Sequence, residues 1–474
     1  MDHYGDSGTD WAVNAQTSLT ISEQRQGNVA KIKNKHVVIG LGKTGLSCVR
    51  FLKRLDCEVA VIDTRTEPPG RQELAQEFPT VQLYCGELEQ FDLSKAQELV
   101  VSPGIAISTP AIAKAIAAGV PCSGDVELFA KSVDAPVIAV TGSNGKSTVV
   151  SIIGKALEAL GYNVCVAGNI GLPVLDALST ALDVDVWVLE LSSFQLETTH
   201  SLRAKIAVNL NVTEDHMDRY DSLEDYAMAK QRIFEGCEAA VYWLCDHRTK
   251  PIQAVPTLLP FGGDTQAHGR FYVDDSGTET CVMDGAKAVL TDAELHVRGA
   301  HNLLNVAACL AVIAEFSGDR YSDALPAIKA FPGLPHRCQW VADVDGVAWF
   351  NDSKGTNVGS SVAAIRGLAE NIKGRLFLLA GGEGKDADFQ PLATAIEEKV
   401  DQVVVFGRDA QEIADAVAGA KPVEKMENMK AAVEWIKGRA KVGDVVLFSP
   451  ACASFDQFKN YEDRGHQFMT AVRG

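Results

Sequence analysis

Residues 136–148 read Pro-Val-Ile-Ala-Val-Thr-Gly-Ser-Asn-Gly-Lys-Ser-Thr, an apolar strand that runs straight into a glycine-flanked loop. Backbone N–H groups can converge on an anion only where no Cβ intrudes, which accounts for Gly142 and Gly145. Lys146 supplies a cation for β- or γ-phosphate oxygens, and a hydroxyl at Ser147 or Thr148 stands where it can reach Mg²⁺. Val149, Val150, Ile152, Ile153, Ala156, Leu157 and Leu160 then recur as one helical stripe that Gly161 closes. A phosphate would therefore rest on a helix N-terminus, where unpaired N–H groups and the helix dipole favour anions. The general spacing G-x-x-x-x-G-K-[ST] places glycine where this chain has Val140. An ordinary strand-turn-helix with a chance lysine is the competing reading. Strand, glycines, Lys-Ser-Thr and helix all agree in register, which speaks against it.

That unit demands a parallel α/β sheet, and the pattern repeats along the chain. At 474 residues the chain is expected to form about three domains. A first block opens with Lys35-His-Val-Val-Ile, Gly40-Leu-Gly42-Lys-Thr44-Gly45 and a second strand ending in Asp63-Thr64-Arg65. The segment 118–124 reads as a hinge into the second block, which holds the phosphate loop, and Phe331-Pro-Gly-Leu-Pro335 marks a second boundary. Apolar strands near 375, 402 and 444 make the third block doubly wound. The expected limits are a flexible tail over 1–28 and domains over 29–124, 125–333 and 334–474. The expected class is α/β, with Rossmann-like outer domains around a central P-loop-type ATPase domain.

A net charge of −18 argues against nucleic acid or an anionic membrane as the main partner. The 11 cysteines are odd in number and scattered, as in a reducing cytoplasm. No apolar run is expected to cross a bilayer.

Gly40-x-Gly42-x-x-Gly45, with Asp63 at the next strand end, fits a dinucleotide fingerprint. Alone it leaves open which nucleotide is bound, and a nicotinamide dehydrogenase is one reading. Glu190 ends an apolar strand, where nucleotide enzymes hold Mg²⁺, although a solvated strand-end glutamate is equally consistent. His216 is either a metal ligand or structural. Lys230 falls on the apolar stripe of a helix capped by Ser222, seven residues beyond Leu223. Burial there lowers a lysine pKa and frees a neutral amine able to take up CO₂ as a carbamate; a lysine snorkelling from the helix flank is the bland alternative.

Thr141-Gly-Ser-Asn-Gly-Lys-Ser-Thr148, Gly168-Asn-Ile-Gly171, Glu190-Leu-Ser-Ser-Phe-Gln195 and Asn211-Val-Thr-Glu-Asp-His216 follow one another in an order that resembles the Mur ligases. So do His301-Asn302-x-x-Asn305, Asp352-Ser-Lys354 and Ser449-Pro-Ala-Cys-Ala-Ser454. The likeness covers nearly everything after about residue 34 and is strongest to the D-glutamate-adding members.

The resemblance implies an ATP-dependent amide ligase that adds D-glutamate to UDP-N-acetylmuramoyl-L-alanine through an acyl phosphate, as a cytoplasmic monomer in peptidoglycan synthesis. By it, Gly42, Thr44, Gly45, Asp63, Thr64, Arg65 and Ser102 would hold UDP in place of NAD, and Asn169 and Ser192 would contact the sugar-peptide. Gly142, Asn144, Gly145, Lys146, Ser147, Thr148, Asn302, Asn305, Arg337 and Asp352 would bind ATP. Ser147, Glu190, His216 and carbamylated Lys230 would organise two Mg²⁺ sites, with Lys146, Glu190, His216 and Lys230 as the catalytic set. Lys354, Thr356, Lys385, Ser454 and Tyr461 would surround the incoming amino acid. Ser143, Glu383 and Tyr461 depart from the family's commoner threonine, aspartate and phenylalanine.

Overall fold

A computed structural model describes residues 32–213, 215–217, 219–263, 268–297, 299–369, 372–384 and 387–474. The 1–28 tail and Lys385 lie outside the described residues. The chain divides into two compact units, one of residues up to Val133 with Leu172–Thr180 and Phe194–Ser201, the other of the remainder.

In the first unit β1 (His36–Ile39), β2 (Val59–Asp63), β3 (Gln82–Cys85), β4 (Glu98–Val101) and β5 (Cys122–Ser123) form a sheet in the order β3-β2-β1-β4-β5. Every pairing is parallel. The central strands are runs of Val, Ile and Leu because both faces are covered. Strand order reverses between β1 and β4, so the ligand crevice of such a sheet lies beyond their C-terminal ends, where Gly40–Gly45 and Ser102 sit. The segment read as a hinge instead supplies β5, and the helix Asp125–Ala130 follows within the same unit.

The second unit carries two sheets. The larger joins β6 (Val137–Thr141), β7 (Val164–Gly168), β8 (Val186–Glu190), β9 (Ile206–Asn209), β10 (Ala239–Trp243), β11 (Thr257–Phe261), β12 (Phe271–Asp274), β13 (Cys281–Asp284) and β14 (Lys287–Thr291). Its order is β14-β13-β12-β11-β10-β9-β6-β8-β7, parallel from β7 to β12. Register sets Glu190 opposite Val140 of β6 and Gly168 of β7. Ile138, Val140 and Val208 share one buried cluster with Val149, Val150 and Ile153 of the helix Lys146–Ala159 and Val306, Leu310 and Ile313 of the helix Ala300–Ser317. Each such side chain contributes about 1.5–3 kcal/mol on full burial, which anchors both helices over the mouth of the loop. One stretch, Ala300–Lys329, is long and apolar enough to cross a membrane, contrary to the sequence expectation. It is a core helix, with 61% of its apolar window buried.

The remaining sheet holds β15 (Gln339–Val344), β16 (Val347–Asn351), β17 (Leu376–Gly381), β18 (Gln402–Phe406), β19 (Val423–Lys425) and β20 (Val445–Phe448), ordered β15-β16-β20-β17-β18-β19. Only the β15–β16 hairpin is antiparallel. Helices Val358–Ala369, Gln390–Lys399 and Ala410–Val417 cover one face, and Met429–Lys437 and Tyr461–Arg473 the other. The sheet is therefore doubly wound. All three sheets are parallel or mainly parallel and flanked by helices, an α/β architecture.

Candidate active site

The site begins where β6 ends. Gly142 has φ +152° and Gly145 φ +84°, and Gly145 is the N-cap of the helix Lys146–Ala159. A Cβ on Gly145 would stand 2.5 Å from Asn305 Oδ1, so two residues 160 positions apart in sequence meet only because one is glycine. Asn305 in turn donates to Asn302 Oδ1 at 3.4 Å.

A segment following β9 clamps the loop. Asn144 N–H donates to Asn211 Oδ1 (2.8 Å), and Asn211 Nδ2 returns a bond to the Asn144 carbonyl (3.1 Å). Ser143 Oγ donates to the Thr213 carbonyl and accepts from Thr213 N–H, both at 3.0 Å. Ser143 also lies 3.4 Å from the Tyr226 hydroxyl.

Glu190, buried at the end of β8, joins the loop to β7. Ser147 Oγ donates to one carboxylate oxygen at 2.7 Å and Asn169 Nδ2 to the other at 2.8 Å. Gly168 has φ +104°, and a Cβ there would collide with the Glu190 carbonyl. Arg337 donates to Ser147 Oγ at 3.1 Å, bringing a guanidinium from the sequence before β15 to the mouth of the loop.

Two lysines share one carbonyl. Lys146 Nζ donates to the carbonyls of Gly142 (2.7 Å) and Ser143 (2.9 Å), and Lys230 Nζ reaches Gly142 at 3.0 Å. Lys230 is 1% exposed and stands 4.3 Å from the centre of the Tyr226 ring. Burial holds its pKa well below the usual lysine value, and the charge on Lys146 adds to the effect against the pull of Asp215. Burial lowers the Lys146 pKa too, opposed by Glu190 and Asp215.

His216 takes φ +56° and pairs with Asp215 at 3.5 Å, its ring edge-on to Tyr226 at 6.2 Å. Among the described residues no three His, Cys, Asp or Glu side chains converge closely enough to hold a metal ion. The hydroxyl of Ser147 and the carboxylate of Glu190 are hard oxygen donors already in contact. They suit a small divalent cation that keeps much of its water.

At the strand ends of the smaller sheet, Asp352 accepts from Ser449 Oγ (2.6 Å) and Cys338 N–H (3.2 Å). Burial pushes its pKa up to about 7 against those bonds and the charge of Arg337. Lys354 Nζ sits 3.9 Å over the Tyr461 ring. Its pKa is lowered by burial and Arg337, while Glu462 and Glu190 act the other way. Ser454 is buried and Thr356 half-buried beside Lys354. Arg464, fully buried, ties these loops together, donating to Ser353 Oγ (3.1 Å), the Ser353 carbonyl (2.9 Å) and the Ala453 carbonyl (3.2 Å). Sequence reading missed Arg464. The available signal was its place on the last helix's apolar stripe, four and eight residues before Phe468 and Val472. Tyr226, Asn211 and Thr213 likewise gained their roles only in three dimensions.

In the first unit Gly40 has φ +91°, and Gly45 lets the helix Lys43–Arg54 approach the Gly40 carbonyl where a Cβ would collide with it. Ser102 Oγ donates to that carbonyl at 3.0 Å. Asp63 accepts from Leu41 N–H (2.7 Å), Arg65 N–H (2.9 Å) and the Arg65 guanidinium (2.9 and 2.7 Å). Burial acts to raise its pKa, but the Arg65 and Leu41 bonds hold it below the usual carboxylate range. Thr64 is exposed, and Gly42, as N-cap, has open space around it.

Three family models match the chain in succession between residues 34 and 452. They are described as the Mur ligase MurD-like N-terminal domain (34–124), the Mur ligase middle domain (140–313) and the Mur ligase glutamate ligase domain (336–452). A Legionella pneumophila protein named UDP-N-acetylmuramoylalanine–D-glutamate ligase is 45% identical over 442 residues, 93% of this chain and 99% of the relative. A protein of the same name from Marinobacter nauticus is 47% identical over 92% of this chain and 98% of its own length. Among solved structures, a UDP-N-acetylmuramate-alanine ligase from Thermotoga maritima superposes with a TM-score of 0.58 at 20% identity, covering 93% of this chain and 99% of its own. A MurF structure from Acinetobacter baumannii gives 0.59 at 16% identity over 87% and 91%.

Proposed function

Because the chain belongs to the Mur ligase family, we propose that it joins D-glutamate to UDP-N-acetylmuramoyl-L-alanine, converting ATP to ADP and phosphate. Near full-length identity of 45% to relatives named for that reaction supports the choice of substrates. The observation that carries the chemistry is the contact of Arg337 with Ser147, which sets a guanidinium beside a loop already lined by Lys146 and Lys230.

A carboxylate is a poor electrophile. Its oxygen attacks the γ-phosphorus of ATP, ADP leaves, and the acyl phosphate formed is attacked at carbon by the amine of D-glutamate. Phosphate leaves and the amine loses a proton as the amide forms. On arrival of the nucleotide Lys146 exchanges the Gly142 and Ser143 carbonyls for phosphate oxygens. The loop N–H groups hold the phosphates, and Asn302, Asn305 and Asp352 hold the rest of the nucleotide. Lys354, Thr356, Lys385, Ser454 and Tyr461 orient the amino acid so that its amine, rather than water, meets the activated carbon. Gly42, Thr44, Gly45, Asp63, Thr64, Arg65 and Ser102 of the N-terminal domain bind UDP, and Asn169 and Ser192 of the central domain contact the sugar-peptide.

Ser147 and Glu190 would hold Mg²⁺, and His216 with carbamylated Lys230 a second ion, which would supply neutralising charge around the phosphates. Neutral Lys230 would add CO₂ and release one proton, which turns an uncharged amine into an anionic N-carboxylate. Its burial and depressed pKa favour that step. We place the enzyme in the cytoplasm as a monomer, with domain limits near 124 and 333. The 11 free thiols are compatible with a reducing compartment.

Omitting one substrate at a time tests the reading. ADP release is expected only with UDP-N-acetylmuramoyl-L-alanine and D-glutamate together; equal turnover with L-glutamate or a diamino acid overturns it.

A further inference from the structure

The turn that follows β10 holds none of the predicted site residues, yet two parts of the site are tied to it. Asp246, 9% exposed, accepts at one carboxylate oxygen from Val212 N–H at 2.8 Å, across 34 residues of sequence. Val212 lies just beyond the end of β9, where the ladder no longer supplies acceptors. Its neighbours Asn211 and Thr213 are the residues that clamp Asn144 and Ser143 of the phosphate loop. The other Asp246 oxygen accepts from Arg248 N–H at 3.1 Å and caps the single turn His247–Thr249. Thr249 Oγ1 fixes that turn to β10, donating to the Asp246 carbonyl (2.7 Å) and accepting from Trp243 N–H (3.0 Å).

From the opposite side comes Gln231, the residue after Lys230. Its amide nitrogen donates to the carbonyls of Arg248 (2.7 Å) and Lys250 (2.8 Å), and its oxygen accepts from Ile252 N–H (3.2 Å). One turn thus holds both the strap over the phosphate loop and the helix bearing the buried lysine.

We propose that Asp246 is a positioning residue for nucleotide binding: its carboxylate fixes Val212, so that Asn211 and Thr213 hold the phosphate loop open, and Gln231 sets the Lys230 helix at constant distance from it. The inference rests on the nucleotide-binding reading given above. A purely local role, capping the turn at Arg248, is the alternative, and chain length separates the two. Serine caps such a turn well but is one bond too short to reach Val212. Asparagine keeps both the reach and an acceptor oxygen.

The full-length chain and its variants are titrated calorimetrically with a non-hydrolysable ATP analogue and Mg²⁺, and amide hydrogen exchange is followed at 211–213. Asp246→Asn is expected to bind within about threefold of the parent. Asp246→Ser is expected to lose about tenfold or more in affinity, since a buried bond to a charged acceptor is removed. It should melt only a few degrees lower and show faster exchange confined to 211–213. Parent-like affinity in Asp246→Ser overturns the proposal, as does accelerated exchange spread over the whole chain. If the parent itself fails to bind the analogue, the nucleotide reading falls instead. Exchange at 211–213 then still decides the brace, with unchanged protection in Asp246→Ser overturning it.

Discussion

At the scale of single residues, the shared acceptor at Gly142 matters most. Burial penalises a charge on Lys230, and the Lys146 ammonium on the same carbonyl adds to the penalty, so the equilibrium is drawn toward a neutral amine at Lys230. Lys230→Ala removes the carbamate precursor and is expected to lower turnover at least about a hundredfold, the scale on which a charge-stabilising group acts. A short carboxylic acid diffusing into the vacated space should restore part of it. Near-normal turnover without rescue, measured by ADP release, would exclude a carbamate. Although the sequence alone favours a lysine snorkelling from the flank, that burial could lower the pKa was readable from it because Lys230 lies on its helix's apolar stripe. The Tyr226 ring beneath it was not, since four-residue spacing shows which face a side chain shares but not what the amine touches.

Among elements, the C-terminal helix Tyr461–Arg473 does more than cover a sheet. Gly465 sits within it where alanine would be favoured by about 1 kcal/mol on helix propensity alone. A Cβ there would fall within the buried His336 imidazole, whose Nδ1 lies 2.9 Å from Asn351 Nδ2 and whose carbonyl receives Lys354 N–H at 3.0 Å. His336 and Cys338 both take positive φ, at 62° and 43°, on either side of Arg337. Gly465→Ala is expected to destabilise by about 1–3 kcal/mol through overpacking, and to impair glutamate binding as Lys354 shifts. A denaturation midpoint above the parent's would refute this. The strand-loop-helix at 136–160 was legible because its apolar period, glycines and Lys-Ser-Thr are local, whereas the Asn211 and Thr213 clamp on its loop is not. Arg337 on Ser147, 190 residues away, and Arg464 on Ser353, 111 away, depend on strand order, which no local period encodes.

For the whole molecule, a net charge of −18 coexists with Lys146, Lys230, Arg337 and Lys354 gathered about one loop and its neighbours. Local cations, rather than overall charge, suit the chain to polyanionic small substrates. The same logic distinguishes the two nucleotide readings of Gly40–Gly45. UDP-N-acetylmuramoyl-L-alanine at about a hundred times its Kd should stabilise the chain by about 2.7 kcal/mol, visible as a raised melting midpoint, while NAD⁺ leaves it unmoved. The opposite pattern would restore the dehydrogenase reading. Finally, Glu190 reaches Ser147 because β8 is in register with both β6 and β7. Side chains along a strand alternate faces, so gain or loss of one residue inside Val186–Glu190 would turn the carboxylate to the far side of the sheet. The strand therefore tolerates exchange of residues far better than a change in their number, and an inserted residue is accommodated at lower cost in a turn.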